Sequence, residues 1–295
     1  MVVSAAFVLE ATMTSPDPKD PRLNWGALSQ AERDAAYDNN KAVANSPALI
    51  AIRNEASARF RAAHAIALDI PYGDRERTKI DLYPSRDKSA PCLVFIHGGY
   101  WQRNSRDVFA MLVEGMAEHG WSVAIPGYSL APEATLTEIV QEISLALDWL
   151  AENGPSRGIA GPVVLSGWSA GAHLTALALA HPVVTAGLAV SGVYDLAPIR
   201  ETGLNVALKL TDQEVEKLSP LRLPIVQKPL DIAYGSAELP ALVWDSWNFH
   251  AARKAAGAPG DLVAIEGADH FTILEQLRRA DGMLAKIALS LAKRS

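Results

Sequence analysis

The chain has 295 residues, 49% of them hydrophobic and 20% charged, with a formal net charge of −6 at pH 7. This length and apolar content are enough to bury the core of one large α/β domain. The acidic balance, with no basic stripe, argues against nucleic acid as a partner. The apolar runs are too short to cross a membrane, so no membrane partner is expected.

The first 21 residues are expected to form a flexible or disordered lead, because the stretch "TSPDPKDP" is rich in Pro and Asp. The apolar run at 2–9 has no basic residue before it and is interrupted at Glu10, which makes it a weak match to a signal peptide. Met13 is an alternative start of the natural chain.

The single cysteine, Cys92, lies within an apolar run. One cysteine excludes an internal disulfide, and no Cys/His cluster has zinc-ligand spacing. A buried thiol within a strand behaves as a small hydrophobe. We therefore expect a structural cysteine and a cytoplasmic protein.

Residues 22–295 are predicted to form one domain. Its first part, residues 22–63, is typical of two helices, with Ser29 as an N-cap and Glu32 completing a capping box. Three roles stay open for this part: covering an active site, mediating dimerisation, or packing on the sheet.

From residue 64 the pattern predicts an α/β fold with a mostly parallel, doubly wound sheet. Two strands flank a turn at Gly73-Asp74, and six short apolar runs follow. Runs that are apolar throughout and separated by helices indicate a parallel sheet covered by helices on both faces. Right-handed crossovers connect such strands. The runs are "CLVFIHGG", "WSVAIPGY", "VVLSGWS", "GLAVSGVY", "LDIAYG" and "LVAIEG", and the helices are expected near 105–119, 133–153, 171–181, 240–256 and 271–293.

The segment 195–228 is too long for a simple connection between two strands. Insertions of that size in compact domains are usually lids or binding elements. It is predicted to be a small helical cap over the carboxyl edge of the sheet.

Residues 167–171, "GWSAG", have the form G-x-S-x-G between an apolar strand and an Ala/Leu-rich helix. In that context the serine stands at a sharp, strained bend, and the residues two positions away must be tiny for strand and helix to approach. The helix N-terminus adds partial positive charge beneath a developing oxyanion. The pattern predicts Ser169 as a nucleophile.

A second motif, His97-Gly98-Gly99, follows an earlier strand. Attack by a serine creates an oxyanion that needs preorganised N–H donors. The candidate donors are the amides of Gly98, Gly99 and Ala170, with that of Tyr100 as a third source from the same loop. His97 is expected to orient the loop and not to act as the base.

Three large aromatic residues adjoin these motifs. Tyr100 and Trp101 are expected to wall the pocket beside the scissile bond. Tyr100, Trp101 and Trp168 are candidates to stack on an aromatic leaving group, and packing of Trp168 against the strand is the alternative.

The base is expected to be His270, which follows the last strand and opens the final helix. That position fits the chain order serine, acid, histidine. The acid should lie just after the penultimate strand, where Glu238 comes first and Asp245 is the alternative. Asp195 follows the preceding strand, and Asp269 adjoins the histidine too closely to orient it.

These motifs resemble the α/β-hydrolase fold and, within it, the kynurenine formamidase (arylformamidase) group, which neighbours the hormone-sensitive-lipase-like esterases. The resemblance extends over most of 65–275, and Ala172 stands where a second glycine is frequent. It implies a nucleophile, acid, base and oxyanion hole at the positions already named, and a homodimer. It rests on "HGGYW", "GYSLAPE", "GWSAG", "SGVYDLAPI", "TGLNVAL" before "LSPL", "YGSAELP" and "DHF".

The expected function is therefore that of a serine hydrolase, cleaving a small-acyl amide or ester through an acyl-enzyme. An aryl formamide such as N-formylkynurenine is the expected small-molecule substrate. The alternatives are a short-acyl carboxylesterase and a non-catalytic binding protein, against which the intact motifs argue. No metal or organic cofactor is implied.

Overall fold

The computed structural model describes residues 18–64 and 67–294. The predictions for Met13 and for most of the 1–21 lead lie outside these residues. Within them, no helix has the length and apolar character needed to cross a membrane.

A twisted sheet of eight strands, counted over the described residues, runs through the centre in the order β1-β2-β4-β3-β5-β6-β7-β8. The first two strands pair antiparallel, and β2 also pairs antiparallel with β4. All other neighbours are parallel, as predicted. The strands are β1 (Ile70–Pro71), β2 (Lys79–Tyr83), β3 (Cys92–Ile96), β4 (Ser122–Pro126), β5 (Val163–Trp168), β6 (Val184–Val190), β7 (Leu230–Gly235) and β8 (Leu262–Ile265).

The central strands are apolar throughout because both faces of the sheet are covered. In β3, Val94 and Ile96 pack into the core on one face, whereas Leu93 and Phe95 pack into the core on the other. Side chains alternate across a strand, so a strand that meets two cores needs apolar residues at every position. The thiol of Cys92 is buried in the first core, and burial raises its pKa to about 12, in agreement with the structural role expected of it.

Helices cover both faces and the carboxyl edge. They are α1 (Gln30–Ala35), α2 (Asn39–Ala42), α3 (Ser46–Ala63), α4 (Val113–Glu118), α5 (Leu136–Asn153), α6 (Ala170–Ala178), α7 (Ala197–Arg200), α8 (Asn205–Leu208), α9 (Asp212–Leu218), α10 (Pro240–Ala255), α11 (Glu275–Arg278) and α12 (Met283–Arg294). Short 3₁₀ helices lie at Trp25–Ala27, Arg106–Leu112, Pro155–Arg157, Pro220–Arg222 and Thr272–Leu274.

Three predicted helices differ in detail. The helix expected near 105–119 is a 3₁₀ helix that continues into α4. The final helix, expected at 271–293, is interrupted at Gly282, where a Cβ would lie 2.2 Å from the carbonyl oxygen of Gln276. The first N-terminal helix divides into α1 and α2 because Asp38 begins a new helix by accepting a hydrogen bond from the Lys41 amide. The predicted Ser29 capping box is confirmed.

The N-terminal segment packs against the 195–228 insertion, which forms the predicted short helices α7, α8 and α9. Arg33 of α1 pairs with Glu201 at 3.0 Å, and Asp34 accepts a hydrogen bond of 2.7 Å from the amide of Gly203. Gln30 donates to the carbonyl of Glu201 at 2.9 Å. The two segments therefore form one layer over this edge of the sheet.

The closest approach between layers gives a stability prediction. Gly171→Ala is expected to destabilise the fold by about 3 kcal/mol, because the new Cβ would lie 2.0 Å from the Ile96 carbonyl oxygen and α6 would have to move. Thermal unfolding measures the effect. Gly26→Ala is the matched control, since no atom lies within 4 Å of its Cβ position. Equal melting temperatures for the two variants would contradict the prediction.

Candidate active site

Ser169 stands at a strained turn between β5 and α6. Its φ of 58° and ψ of −120° lie outside the regions that non-glycine residues usually adopt. The turn is tight because glycines flank it: a Cβ on Gly167 would lie 2.3 Å from the Gly171 carbonyl oxygen. The amide of Ser169 donates to the carbonyl of Val190 in β6 at 2.8 Å. The serine hydroxyl is thus presented at the carboxyl edge of the sheet by a fixed backbone.

The two glycines after β3 lie directly beside this turn. A Cβ on Gly98 would lie 2.5 Å from the Trp168 carbonyl oxygen and 3.0 Å from the Ser169 Cβ, so only glycine fits. Gly99 has a φ of 127°, in the region that favours glycine. The loop backbone therefore reaches the serine without side chains between them. The amide of Ala170, the first residue of α6, is one of the helix N–H groups without an intrahelical acceptor.

His97 supports the glycine loop, which carries Gly98 and Gly99 after β3, and its imidazole stays neutral. Its ring stacks on Tyr128 at a centroid distance of 4.2 Å, and its Nδ1 lies 3.0 Å from the Gly98 carbonyl oxygen. The Tyr128 hydroxyl donates to the His97 carbonyl at 2.8 Å. Burial lowers the pKa of His97 to about 3. These contacts agree with the expected loop-orienting role and leave the ring away from the surface.

His270 and Glu238 form a buried pair. The His270 Nδ1 lies 3.6 Å from the Glu238 Oε1, which is ion-pair range and longer than a hydrogen bond. His270 is also anchored beside the serine, because its carbonyl accepts a 2.8 Å hydrogen bond from the Trp168 indole.

A small cavity opens at Ser169. Its volume is about 10 Å³, which is roughly the room that one water molecule needs. Its walls come from six segments: the N-terminal segment, the glycine loop after β3, the Ser169 turn, the loop after β6, the 195–228 insertion and α10. The lining residues are Tyr37, Asn39, Tyr100, Trp101, Ser169, Ala170, Val193, Ile199 and Leu242.

Tyr100 joins the glycine loop to the N-terminal segment. Its hydroxyl accepts hydrogen bonds from the Asn39 amide at 3.0 Å and from the Asn39 side chain at 3.3 Å. It donates to the Tyr37 carbonyl at 3.0 Å. Tyr100 and Trp101 both have positive φ, 57° and 58°, so the loop holds two strained non-glycine residues, and both of them line the cavity.

Comparison with known proteins agrees with this geometry. A model of the BD-FAE family matches residues 79–184. The kynurenine formamidase of Danio rerio is 29% identical, and the match covers 92% of this chain and 99% of that protein. The isoprenylcysteine alpha-carbonyl methylesterase ICME of Arabidopsis thaliana is 28% identical, over 70% of this chain and 57% of its own length. A solved structure of a "putative thioesterase" from Silicibacter sp. TM1040 is 28% identical with a TM-score of 0.78, covering 88% of this chain and 99% of its own.

The chain has the α/β-hydrolase fold and is a hydrolase that is similar to formamidases and esterases. The predicted fold class and the prediction of a hydrolase are both confirmed. In the described part of the hydrolase, no three His, Cys, Asp or Glu side chains cluster so as to hold a metal ion.

Trp168 corrects one prediction about the substrate pocket. It is absent from the cavity lining, and its ring packs against His270 at 4.7 Å and Phe109 at 5.9 Å between centroids. The indole N–H donates a hydrogen bond to the His270 carbonyl oxygen. The alternative given for Trp168, packing on the strand, describes its position, and the residue braces the histidine loop of the hydrolase.

The other acidic candidates face elsewhere. Asp245 is buried against Arg22 at 3.4 Å and the Tyr37 hydroxyl at 3.4 Å. Asp195 pairs with Arg222 at 3.1 Å. Asp269 accepts hydrogen bonds from the two amides that begin the next 3₁₀ turn. Glu238 is the acidic candidate that the structure brings to the histidine.

The sequence did not identify five lining residues: Tyr37, Asn39, Val193, Ile199 and Leu242. The length of the 195–228 insertion was a signal for Ile199, as a lid over this edge. No local pattern distinguishes Tyr37 and Asn39, because their position depends on contacts with Tyr100 more than sixty residues away.

Asp245 gives a pH-dependent prediction. Burial raises its pKa from 3.8 to about 8, so between those values the folded hydrolase holds a proton that the unfolded chain releases. Its contribution to the free energy of unfolding is complete below pH 4 and is lost as pH rises through 8. In thermal unfolding from pH 4 to 9, Asp245→Asn should gain stability relative to the wild type, by at most about 1.4 kcal/mol per pH unit.

The control is Asp74→Asn, which removes an exposed carboxylate. Its stability relative to the wild type should stay constant over the same range. An equally constant difference for Asp245→Asn would show that Asp245 is ionised throughout.

Proposed function

We propose that this hydrolase cleaves a small-acyl amide or ester through a serine acyl-enzyme, and that an aryl formamide such as N-formylkynurenine is its substrate. The observation that carries the proposal is the strained Ser169 turn, which opens into a cavity with room for about one water molecule. A buried His270–Glu238 pair adjoins that turn.

Each member of the proposed triad has one task. His270 takes the proton of the Ser169 hydroxyl as the oxygen attacks the carbonyl carbon, and then gives it to the departing amine or alcohol. Water, activated by the same imidazole, attacks the acyl-enzyme and releases formate or another small acid. Glu238 fixes the imidazole tautomer and stabilises its charged form.

The oxyanion is assigned to backbone donors. The amides of Gly98, Gly99 and Ala170 belong to the segments that meet at the Ser169 Cβ. Such donors need no reorganisation when charge develops on the carbonyl oxygen, and this is why fixed amides stabilise the transition state strongly.

The size of the cavity supports a small acyl group. A formyl group adds only hydrogen to the carbonyl carbon, so it suits a space of about one water molecule. The space does not hold an aromatic ring, so the aromatic leaving group in the proposal is supported by the relatives and not by the cavity. The 29% identity to a kynurenine formamidase over nearly its whole length is further support.

A short-acyl carboxylesterase is the second candidate function. It is favoured by the similarity to the ICME methylesterase, since ester and formamide cleavage use the same triad chemistry. The two candidates differ in leaving group and in the acyl chain that the cavity accepts.

Parallel assays on N-formylkynurenine, p-nitrophenyl acetate and p-nitrophenyl butyrate test the proposal. We expect kcat/KM to be highest on the formamide and lowest on the butyrate, because the cavity leaves no slot for a longer acyl chain. Ser169→Ala should lower every rate by about 10⁴-fold or more. Good ester turnover with a negligible formamide rate would leave the esterase as the function.

Widening the cavity tests its role in acyl selection. Ile199→Ala shortens a side chain that lines the cavity, so kcat/KM on the butyrate relative to the acetate should rise about tenfold. The same change should cost about 2 to 5 kcal/mol of stability. The control Val206→Ala, exposed on the same insertion, should alter neither quantity. An unchanged acyl preference in the Ile199 variant would place the acyl group elsewhere.

A cytoplasmic location and a homodimer stay predictions. The location is supported by the buried, structural Cys92, which needs no oxidising compartment. The homodimer follows from the family resemblance and would be measured by light scattering in solution.

A further inference from the structure

Ser191 is the residue that follows β6, and its backbone is strained although it is fully buried. Its φ is 54°, in the left-handed region that costs an L-residue about 1 to 2 kcal/mol. Its amide donates to the carbonyl of Ala233 in β7 at 2.8 Å, so the conformation is fixed between two strands. Glycine would adopt this conformation without strain. The serine side chain at this position is therefore expected to have a role that offsets the backbone strain.

The Ser191 hydroxyl donates a 2.5 Å hydrogen bond to the Oε1 of Glu238. That oxygen is the one that faces the His270 Nδ1, at 3.6 Å. The second oxygen, Oε2, is buried and has no hydrogen-bond partner in the described chain. A buried carboxyl group is costly unless hydrogen bonds satisfy its oxygens. Ser191 supplies one such hydrogen bond.

We infer that Ser191 is a positioning residue for catalysis: its hydroxyl holds the Glu238 carboxyl group in the orientation that faces His270. This inference rests on the proposed function, because Glu238 has a task only if His270 acts as the base. Ser191 is not among the residues lining the cavity, so it acts through Glu238 and not by contact with substrate.

Two variants separate positioning from a structural role. Ser191→Ala removes the hydroxyl and keeps the strained backbone, whereas Ser191→Gly removes the hydroxyl and relieves the strain. Both should lower kcat on p-nitrophenyl acetate about 10- to 100-fold with KM changed less than about twofold, the loss expected for a hydrogen bond to a charged group. The Gly variant should nevertheless melt within about 3 °C of the wild type. If Ser191 had only a structural role, the Ser191→Gly variant would keep the wild-type kcat, because its fold is as stable as that of the wild type.

The matched control is Ser166→Ala in β5. Ser166 is also a fully buried serine near the carboxyl edge, but its hydroxyl has no hydrogen-bond partner in the described chain. It should keep the wild-type kcat. The labelling rate of Ser169 by a fluorophosphonate gives a second readout that covers variants with slow turnover.

Glu238→Ala completes a double-mutant cycle. If Ser191 acts through the carboxylate, Ser191→Ala should cost little in the Glu238→Ala background. An equal loss in both backgrounds, or wild-type kcat in both Ser191 variants, would overturn the inference. Wild-type activity in Glu238→Ala alone would overturn the proposed acid instead, which keeps the two failures distinguishable.

Discussion

The close approach of three backbones is the constraint on which this site depends. An added Cβ on Gly171 would lie 2.0 Å from the Ile96 carbonyl oxygen, and one on Gly98 would lie 2.5 Å from the Trp168 carbonyl oxygen. Helix α6 and the loop after β3 can therefore meet the end of β5 only where side chains are missing. That meeting turns Ser169 outward. In the proposed mechanism the amides of the same segments bind the oxyanion, so the glycines serve the steric requirement and, in the proposal, the electrostatic one.

The parallel sheet also positions the other catalytic candidates. Ser169, Glu238 and His270 follow β5, β7 and β8, whose carboxyl ends lie along one edge. Backbone hydrogen bonds fix the ends of neighbouring strands, from Ser169 to Val190 and from Ser191 to Ala233. Side chains far apart in sequence thus reach one place because the strands that carry them are held in register.

Local patterns made the strands, the Ser169 turn and the glycine loop predictable from sequence. Each depends on residues within about ten positions, such as the two glycines around Ser169. The contacts that were missed are long-range: Asp245 pairs with Arg22 from 223 positions away, and Tyr100 bonds to Asn39 from 61 positions away. The orientation of the Trp168 ring is also a tertiary matter, since a carbonyl 102 positions later accepts its indole N–H. A single sequence does not reveal which residues far apart along the chain will be in contact.

Two buried acidic side chains have different roles at this edge of the sheet. Glu238 accepts a hydrogen bond from the Ser191 hydroxyl and faces His270, an arrangement that suits the orientation of an imidazole. Asp245 instead faces Arg22 and the Tyr37 hydroxyl, and so ties the N-terminal segment to α10. Tyr37 and Asn39, which precede α3, line the cavity together with Leu242 of α10. Part of the 22–63 segment therefore belongs to the wall of the space at Ser169, which is the first of the three roles that the sequence left open.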